Sequence, residues 1–227
     1  MSNGEIYLHS TSSGTTQQLT NDSVYQQYPK ISGDHVVWLE DYNDVYLYTI
    51  STGATSRLTN AGGSRYDLDI SDDRVIWVEN GELTGYDLVS GSQTQISSGT
   101  DPWCYEGVIS GDRIAYLIEY GWHTDLALYD LSTGSRIQVT TDIFDQWDPD
   151  IDGNHLVWVD YRDSNADICL FSAHQGDNTT NAIRFEPCSS SVTVGASKNV
   201  TVVIDTVPAG LSGFNITVAL TEPSIGE

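Results

Sequence analysis

The stretch ISGDHVVW, Ile31 to Trp38, decides how the chain is read, because it returns three times. ISDDRVIW begins at Ile70, ISGDRIAY at Ile109 and IDGNHLVW at Ile151, with spacings of 39, 39 and 42 residues. A second string keeps step with it. It reads IYLHSTSSGTTQQLT from Ile6, VYLYTISTGATSRLT from Val45, LTGYDLVSGSQTQIS from Leu83 and LALYDLSTGSRIQVT from Leu126. A shortened fifth copy, ICLFSAHQG, starts at Ile168, and the turn glycines are Gly14, Gly53, Gly91, Gly134 and Gly176. A fixed period of this length marks an array of small units, each needing its neighbour to bury an apolar face.

Each unit reads as four short strands. One ends at the repeated Ile, a tight Gly-Asp or Asp-Asp turn follows, and an apolar strand such as His35 to Leu39 comes next. An alternating strand such as Val45 to Tyr48, a Ser-Thr-Gly turn and a strand closing on Leu-Thr or Val-Thr complete it. Glycine supplies positive φ in the turns. Val, Ile, Tyr and Trp suit a pleated, half-buried surface, and no stretch sustains a helical period. The expected fold is all-β: a β-propeller of four-stranded blades.

These strings resemble the TolB-like propeller repeat, related to PD40 and WD40 repeats. That repeat joins a Ser-Pro-Asp-Gly-type turn, an apolar strand and Ile-Tyr-x-x-Asp-Leu, followed by Thr-Gly and Leu-Thr. Here the turns are Ser32-Gly33-Asp34, Ser110-Gly111-Asp112 and Asp152-Gly153-Asn154, without the proline. The combination of VVW with DLSTG is most similar to repeats in cell-surface proteins of methanogenic archaea. The resemblance spans about residues 5–180 and implies a fold more than a function, since propellers host many activities.

Residues 1–180 are therefore expected to form the propeller segment. Residues 5–20 supply the last two strands of a blade, and 28–59, 67–97, 106–140 and 148–180 supply four more. Four to five blades suggest either part of a larger ring or a ring clasped by the amino-terminal pair. Residues 181–227 lack the repeat. Val192–Val194, Val200–Ile204 and Phe214–Leu220 are strand candidates, and Leu211-Ser212-Gly213-Phe214 resembles the opening of a cohesin-like β-sandwich, here incomplete.

Thirty-two acidic against nine basic residues leave a net charge of −23. Such a surface does not track nucleic-acid phosphates or dock on anionic lipid. No apolar run is long enough for a membrane span. Met1 to Glu5 lacks a secretion-signal layout, so any export signal is expected outside this sequence. Low lysine, strong acidity and the sequons at Asn21, Asn178, Asn199 and Asn215 agree with an extracellular, cell-surface setting. Cys104, Cys169 and Cys188 form no CxxC pair, and a Cys169–Cys188 bridge is one pairing they allow.

Trp38, Trp77, Tyr116 and Trp158 share one repeat position and are expected to pack between blades. Asp34, Asp73 and Asp112 resemble the Asp-box of sialidase propellers, but Val36 and Val37 stand where that motif differs, and a turn role is expected. Histidine trades places with arginine at His35, Arg74, Arg113 and His155, which disfavours catalysis or metal binding there. No HExxH, GxSxG or phosphate-loop string occurs.

The candidate binding residues precede the repeated Ile: Gln27-Tyr28, Tyr66-Asp67, Tyr105-Glu106 and Trp147-Asp148. On an innermost strand they would rim the channel mouth, where flat rings stack on sugars and carboxylates accept hydroxyl hydrogen bonds. Tyr28, Tyr66, Asp67, Tyr105, Glu106, Trp147 and Asp148 are the expected ligand site, with blade-wedging as the plain structural role. Asp163, Asn165 and Asp167 begin like a Ca2+ loop but lack the following glycine and the distant glutamate. No other cofactor is indicated.

The expected role is a non-catalytic surface protein that presents loops and a channel mouth to a protein or glycan partner. One alternative is a polysaccharide lyase or glycoside hydrolase using Asp67, Glu106 or Asp148. Another is a TolB-like scaffold docking protein partners.

Overall fold

The computed structural model describes residues 4–60, 62–97, 102–162 and 166–172, with two further short strands at 183–185 and 202–204. Every regular element among them is a β-strand. The chain divides into two compact units, Met1–His174 and Gln175–Glu227.

The first unit is a series of antiparallel sheets, each a meander of consecutive strands. A hairpin, β1 (Tyr7–Ser10) and β2 (Thr15–Gln18), comes first. Three four-stranded sheets follow. They are β3 (Gln26–Ser32), β4 (His35–Glu40), β5 (Asp44–Thr49), β6 (Ala54–Arg57); then β7 (Arg65–Ser71), β8 (Arg74–Glu79), β9 (Glu82–Asp87), β10 (Ser92–Gln95); then β11 (Cys104–Ser110), β12 (Arg113–Glu119), β13 (Thr124–Asp130), β14 (Ser135–Gln138). The last sheet has β15 (Gln146–Asp152), β16 (His155–Asp160) and β17 (Asp167–Ser172). A fourth strand expected before residue 180 falls outside the described residues. The amino-terminal pair does not join that last sheet; β1 and β2 form a sheet of their own among the described residues.

The second strand of each four-stranded sheet is buried on both faces, which is why it reads as an unbroken apolar run. Val36 and Trp38 pack back against Ile6, while Val37 and Leu39 pack forward with Leu68, Ile70, Val75 and Trp77 of the next sheet. The same arrangement recurs where Ile76, Val78 and Leu83 meet Ile109, Ile114 and Tyr116. Burying each such side chain contributes about 1.5–3 kcal/mol. The Trp38, Trp77, Tyr116 and Trp158 positions are all buried, at 0–3% exposure, as inter-blade packing requires.

The Ser-Thr-Gly turns hold Gly14, Gly53, Gly91 and Gly134 at φ 67–69°, the left-handed geometry that the repeated glycine serves. The Leu-Thr motif also acquires a physical reason. The backbone N–H of Ile6, Val45, Leu83 and Leu126 donates to the hydroxyl of Thr20, Thr59, Ser97 and Thr140 at 2.8–3.0 Å, always fourteen residues on. Each hydroxyl satisfies a buried donor where the outermost strand ends. Thr59 and Thr140 in turn donate to Asp44 and Asp125, the residues just before Val45 and Leu126.

In the second unit β18 (Ile183–Phe185) pairs antiparallel with β19 (Val202–Ile204), the latter inside the strand expected at Val200–Ile204. The strands expected at 192–194 and 214–220, and with them the cohesin-like reading, lie outside the described residues. Cys169 is disulfide-bonded; Cys188 also lies outside them.

Candidate functional site

The innermost strand of every blade carries a β-bulge at the same place. Its pairing skips between Gln27 and Lys30, Tyr66 and Asp69, Tyr105 and Val108, and Trp147 and Asp150. The bulged residues Tyr28, Asp67, Glu106 and Asp148 adopt φ of 50–53°, a left-handed conformation unusual for anything but glycine. Such geometry costs on the order of 1–3 kcal/mol each and persists only where surrounding contacts hold it.

Those contacts run from blade to blade. The Glu106 N–H donates to Asp67 Oδ2 at 2.6 Å, and the Asp148 N–H donates to Glu106 Oε2 at 2.8 Å. The Ile109 N–H reaches Asp69 Oδ2 at 3.1 Å, whose other oxygen faces Lys30 Nζ at 3.4 Å. At the following turn, Ser32, Ser71 and Ser110 accept the N–H of Asp72, Gly111 and Gly153 at 2.8–2.9 Å. The Asp67 and Glu106 carboxylates thus staple the bulges of the two blades that follow them, and the serines staple the turns at all three junctions.

Tyr28, Lys30, Tyr66, Asp67, Glu106 and Asp148 line one cleft of ≈ 540 Å3. Pro149 and Asp150 complete its rim, and Leu68 and Gly107, which share one repeat position, also line it. A Cβ on Gly107 would sit 2.8 Å from Leu83 Cδ1, so the backbone approaches the neighbouring sheet closely there. Burial raises the Asp67 carboxyl above the usual carboxylate range, against the opposing pull of the Glu106 N–H and Lys30. Burial also raises Glu106, helped by the charges of Asp148 and Asp67 and opposed by the Asp148 N–H. Tyr66 is pushed up by burial and by Asp67. The cleft therefore offers two phenol rings, partly desolvated carboxylates and one ammonium, which suits stacking on a flat face and accepting hydrogen bonds from hydroxyl or cationic groups.

Tyr105 and Trp147 are not among the residues lining this cleft. Their rings stack on each other across neighbouring blades, with centroids 6.1 Å apart and planes at 22°. Burial, then Glu119, Glu106 and Asp145, pushes the Tyr105 hydroxyl up to about 12. The seven residues expected at the mouth thus sort into five facing the cleft and two packed between blades. Pattern reading missed Lys30, Gly107 and the bulge itself. The signal available for the bulge was a carboxylate, Asp67, Glu106 and Asp148, three residues before the Ile in three of the four copies.

Of the calcium candidates, Asp163 and Asn165 lie outside the described residues. Asp167 is exposed and takes the slot of Asp44 and Asp125, whose carboxylates accept threonine hydroxyls. Among the described residues no group of three or more His, Cys, Asp and Glu is arranged to hold a metal ion.

No protein-family model and no curated relative matches the chain. Solved structures do. TolB from Acinetobacter baumannii superposes with a TM-score of 0.50 at 21% identity, over 74% of this chain and 46% of that one. The fold is that of a TolB-like β-propeller. An oligogalacturonate lyase in complex with manganese gives a TM-score of 0.56 at 15% identity, over 74% and 56% of the two chains. The acylaminoacyl peptidase of Pyrococcus horikoshii gives 0.55 at 16%, over 72% and 28%. The chain spans about half the length of the first two and less of the third. At these identities the likeness establishes architecture alone. No helix among the described residues is long and apolar enough to cross a membrane.

Proposed function

We propose that this chain is a non-catalytic binding propeller of the cell surface, with the inner-strand cleft as its contact site for a protein or glycan partner. The observation that carries this reading is the double engagement of the cleft carboxylates. Asp67 and Glu106 each commit one oxygen to a backbone N–H of the next blade, which fixes them as rigid acceptors beside Tyr66 and Tyr28. Rigid acceptors next to aromatic faces favour recognition, because little side-chain entropy is lost on binding. The acidic surface, the sequons and the resemblance to archaeal surface repeats support an extracellular setting.

The raised carboxyls of Asp67 and Glu106 favour a second reading, polysaccharide cleavage at the same cleft. A glycan array, a pull-down from cell-surface extract and a polysaccharide turnover assay separate the two. The binding reading expects capture without turnover, weakened about tenfold by Tyr66→Ala through loss of one stacking ring. Clean turnover, or capture indifferent to Tyr66→Ala at unchanged Tm, overturns it.

A further inference from the structure

The two ends of the blades differ in chemistry. In an antiparallel meander the turns joining first to second and third to fourth strands open at one end. The loops joining second to third strands, and those leading from one sheet to the next, open at the other. The first end consists of Gly-Asp and Ser-Thr-Gly turns, and among the described residues its exposed large apolar side chains are Ile50 and Val89. The second end exposes Trp103, Tyr120, Trp122, Ile143 and Phe144, with Trp122 at 97% and Ile143 at 78%.

Hydrogen bonds place these five on adjoining loops. The Trp103 carbonyl accepts the Glu119 N–H at 2.8 Å, one residue before Tyr120. The Trp103 ring lies over Gly81 of the preceding sheet, where an added Cβ would meet it at 2.5 Å. Thr124, which closes the loop carrying Tyr120 and Trp122, exchanges hydrogen bonds with the backbone of Gln146, two residues after Phe144. The β11–β14 sheet packs against β7, β8 and β9 on one side and β15 on the other. The exposure of its loop therefore belongs to the loop itself and not to the ends of the series.

That loop is singular among the copies. Asn80 and Gly81 alone join β8 to β9, whereas Tyr120–His123 separate β12 from β13. The longer loop is held in shape. The Tyr120 N–H donates to the His123 carbonyl at 2.8 Å, the Trp122 N–H to the Tyr120 carbonyl at 2.9 Å, and the Tyr120 and His123 rings stack at 6.0 Å. A tryptophan left in water on a fixed loop adds nothing to the core, and clustered exposed apolar groups mark an interaction surface.

Two carboxylates stand beside the rings. Glu119 and Asp145 both lie near enough to Tyr105 to push its hydroxyl up further than burial alone does. Among the described residues neither forms an ion pair, and the basic groups of these loops are engaged elsewhere. Arg162 lies 2.6 Å from Asp160 and 3.4 Å from Asp142, and His123 Nε2 lies 3.9 Å from Asp125. Open rings beside uncompensated carboxylates attract a cation through ring quadrupole and charge together. The net charge of −23 adds to the same field, which repels an anionic glycan and gives a neutral one nothing. We propose that this loop surface docks a basic segment of a protein partner, with arginine or lysine side chains over Trp103 and Trp122 and an apolar side chain against Ile143 and Phe144. The surface shares no residue with the inner-strand cleft and stands whether or not the cleft binds a ligand.

Two-dimensional NMR of the full chain, 15N-labelled at its six tryptophans, tests the proposal. The probe is an amidated peptide of alternating arginine and leucine, titrated at physiological ionic strength beside its glutamate–leucine counterpart and cellohexaose. The arginine–leucine peptide is expected to shift the Trp103 and Trp122 indole signals and to leave those of the buried Trp38, Trp77 and Trp158 in place. Trp122→Ala keeps the Tm and weakens binding about fivefold through loss of one cation–π face. The double variant Glu119→Gln, Asp145→Asn weakens it to a similar degree, and Val89→Ala at the other end changes nothing. Unmoved Trp103 and Trp122 signals overturn the proposal, as does an equal response to the glutamate–leucine peptide or to cellohexaose. Binding kept in Trp122→Ala but lost in Tyr66→Ala also overturns it, since the cleft then holds the peptide.

Discussion

Glu106 has two roles that substitution can pull apart: it binds the next blade, and it faces the cleft. Its Oε2 accepts the Asp148 N–H at 2.8 Å, while its own N–H, which no side-chain change removes, stays on Asp67 Oδ2 at 2.6 Å. Glu106→Ala strips the acceptor from the Asp148 N–H. A hydrogen bond to a charged group contributes about 1.5–3 kcal/mol, and water reaching the exposed Asp148 recovers part of it, so a loss of about 1 kcal/mol is expected. Glu106→Gln keeps an acceptor and removes a charge that burial, Asp148 and Asp67 disfavour. Because those causes raise the folded-state pKa, the ionised form is less favourable in the fold than in the unfolded chain. The contribution of Glu106 is fully present below its unfolded pKa and is lost as pH rises through the folded one. At neutral pH the Gln variant should therefore be at least as stable as the wild type, and the gap should close as pH falls through the carboxylate range. Urea denaturation followed by tryptophan fluorescence, at neutral and acid pH, reads both effects. For a unit of this size about 1 kcal/mol corresponds to about 2–4 °C in Tm. Equal destabilisation by Ala and Gln, or no effect of Ala, would refute the idea that this carboxylate holds the blades together.

Thr59→Val leaves the buried Val45 N–H without its 3.0 Å acceptor and should cost about 1–3 kcal/mol in equilibrium unfolding; a change within about 0.5 kcal/mol would mean the hydroxyl is dispensable. Gly85 stands where other copies have Leu47, Leu128 and Leu170, beside a ≈ 170 Å3 cavity, and an added Cβ would be tight only against the flexible tip of Ile96 at 3.0 Å, with Leu131 at an ordinary 3.9 Å. Gly85→Ala should raise stability by about 0.5–1 kcal/mol, and a lower Tm would show that the strand needs glycine. Burial pushes the Asp160 carboxyl up, but the Arg162 guanidinium and amide, at 2.6–3.0 Å, outweigh it and hold the group below the usual range. That stability is present above the unfolded pKa and lost as pH falls through the folded one. Asp160→Asn should cost about 2 kcal/mol at neutral pH, with the difference from wild type shrinking below about pH 4. A pH-independent difference would contradict the ion pair.

The strand order, the blade period and the inter-blade core were legible from residues 31–38 and their copies alone. Side-chain alternation and turn chemistry are local, so Val37 facing forward and Trp38 facing back follow from a period of two, and Gly53 in its turn follows from the need for positive φ. The Thr59 hydroxyl bond was visible only as an unexplained Leu-Thr motif, because its partner lies fourteen residues away across a strand pair. The cleft needed the tertiary structure. The bulge turns Asp67 and Glu106 out of the strand's alternation, so neither their approach to the next blade nor the departure of Tyr105 and Trp147 into a stack could be counted off along the chain. Likewise, Ile31 and Ile70 are the same residue in the same motif. Only the presence or absence of a neighbouring sheet, which no local pattern encodes, leaves one open to solvent and buries the other.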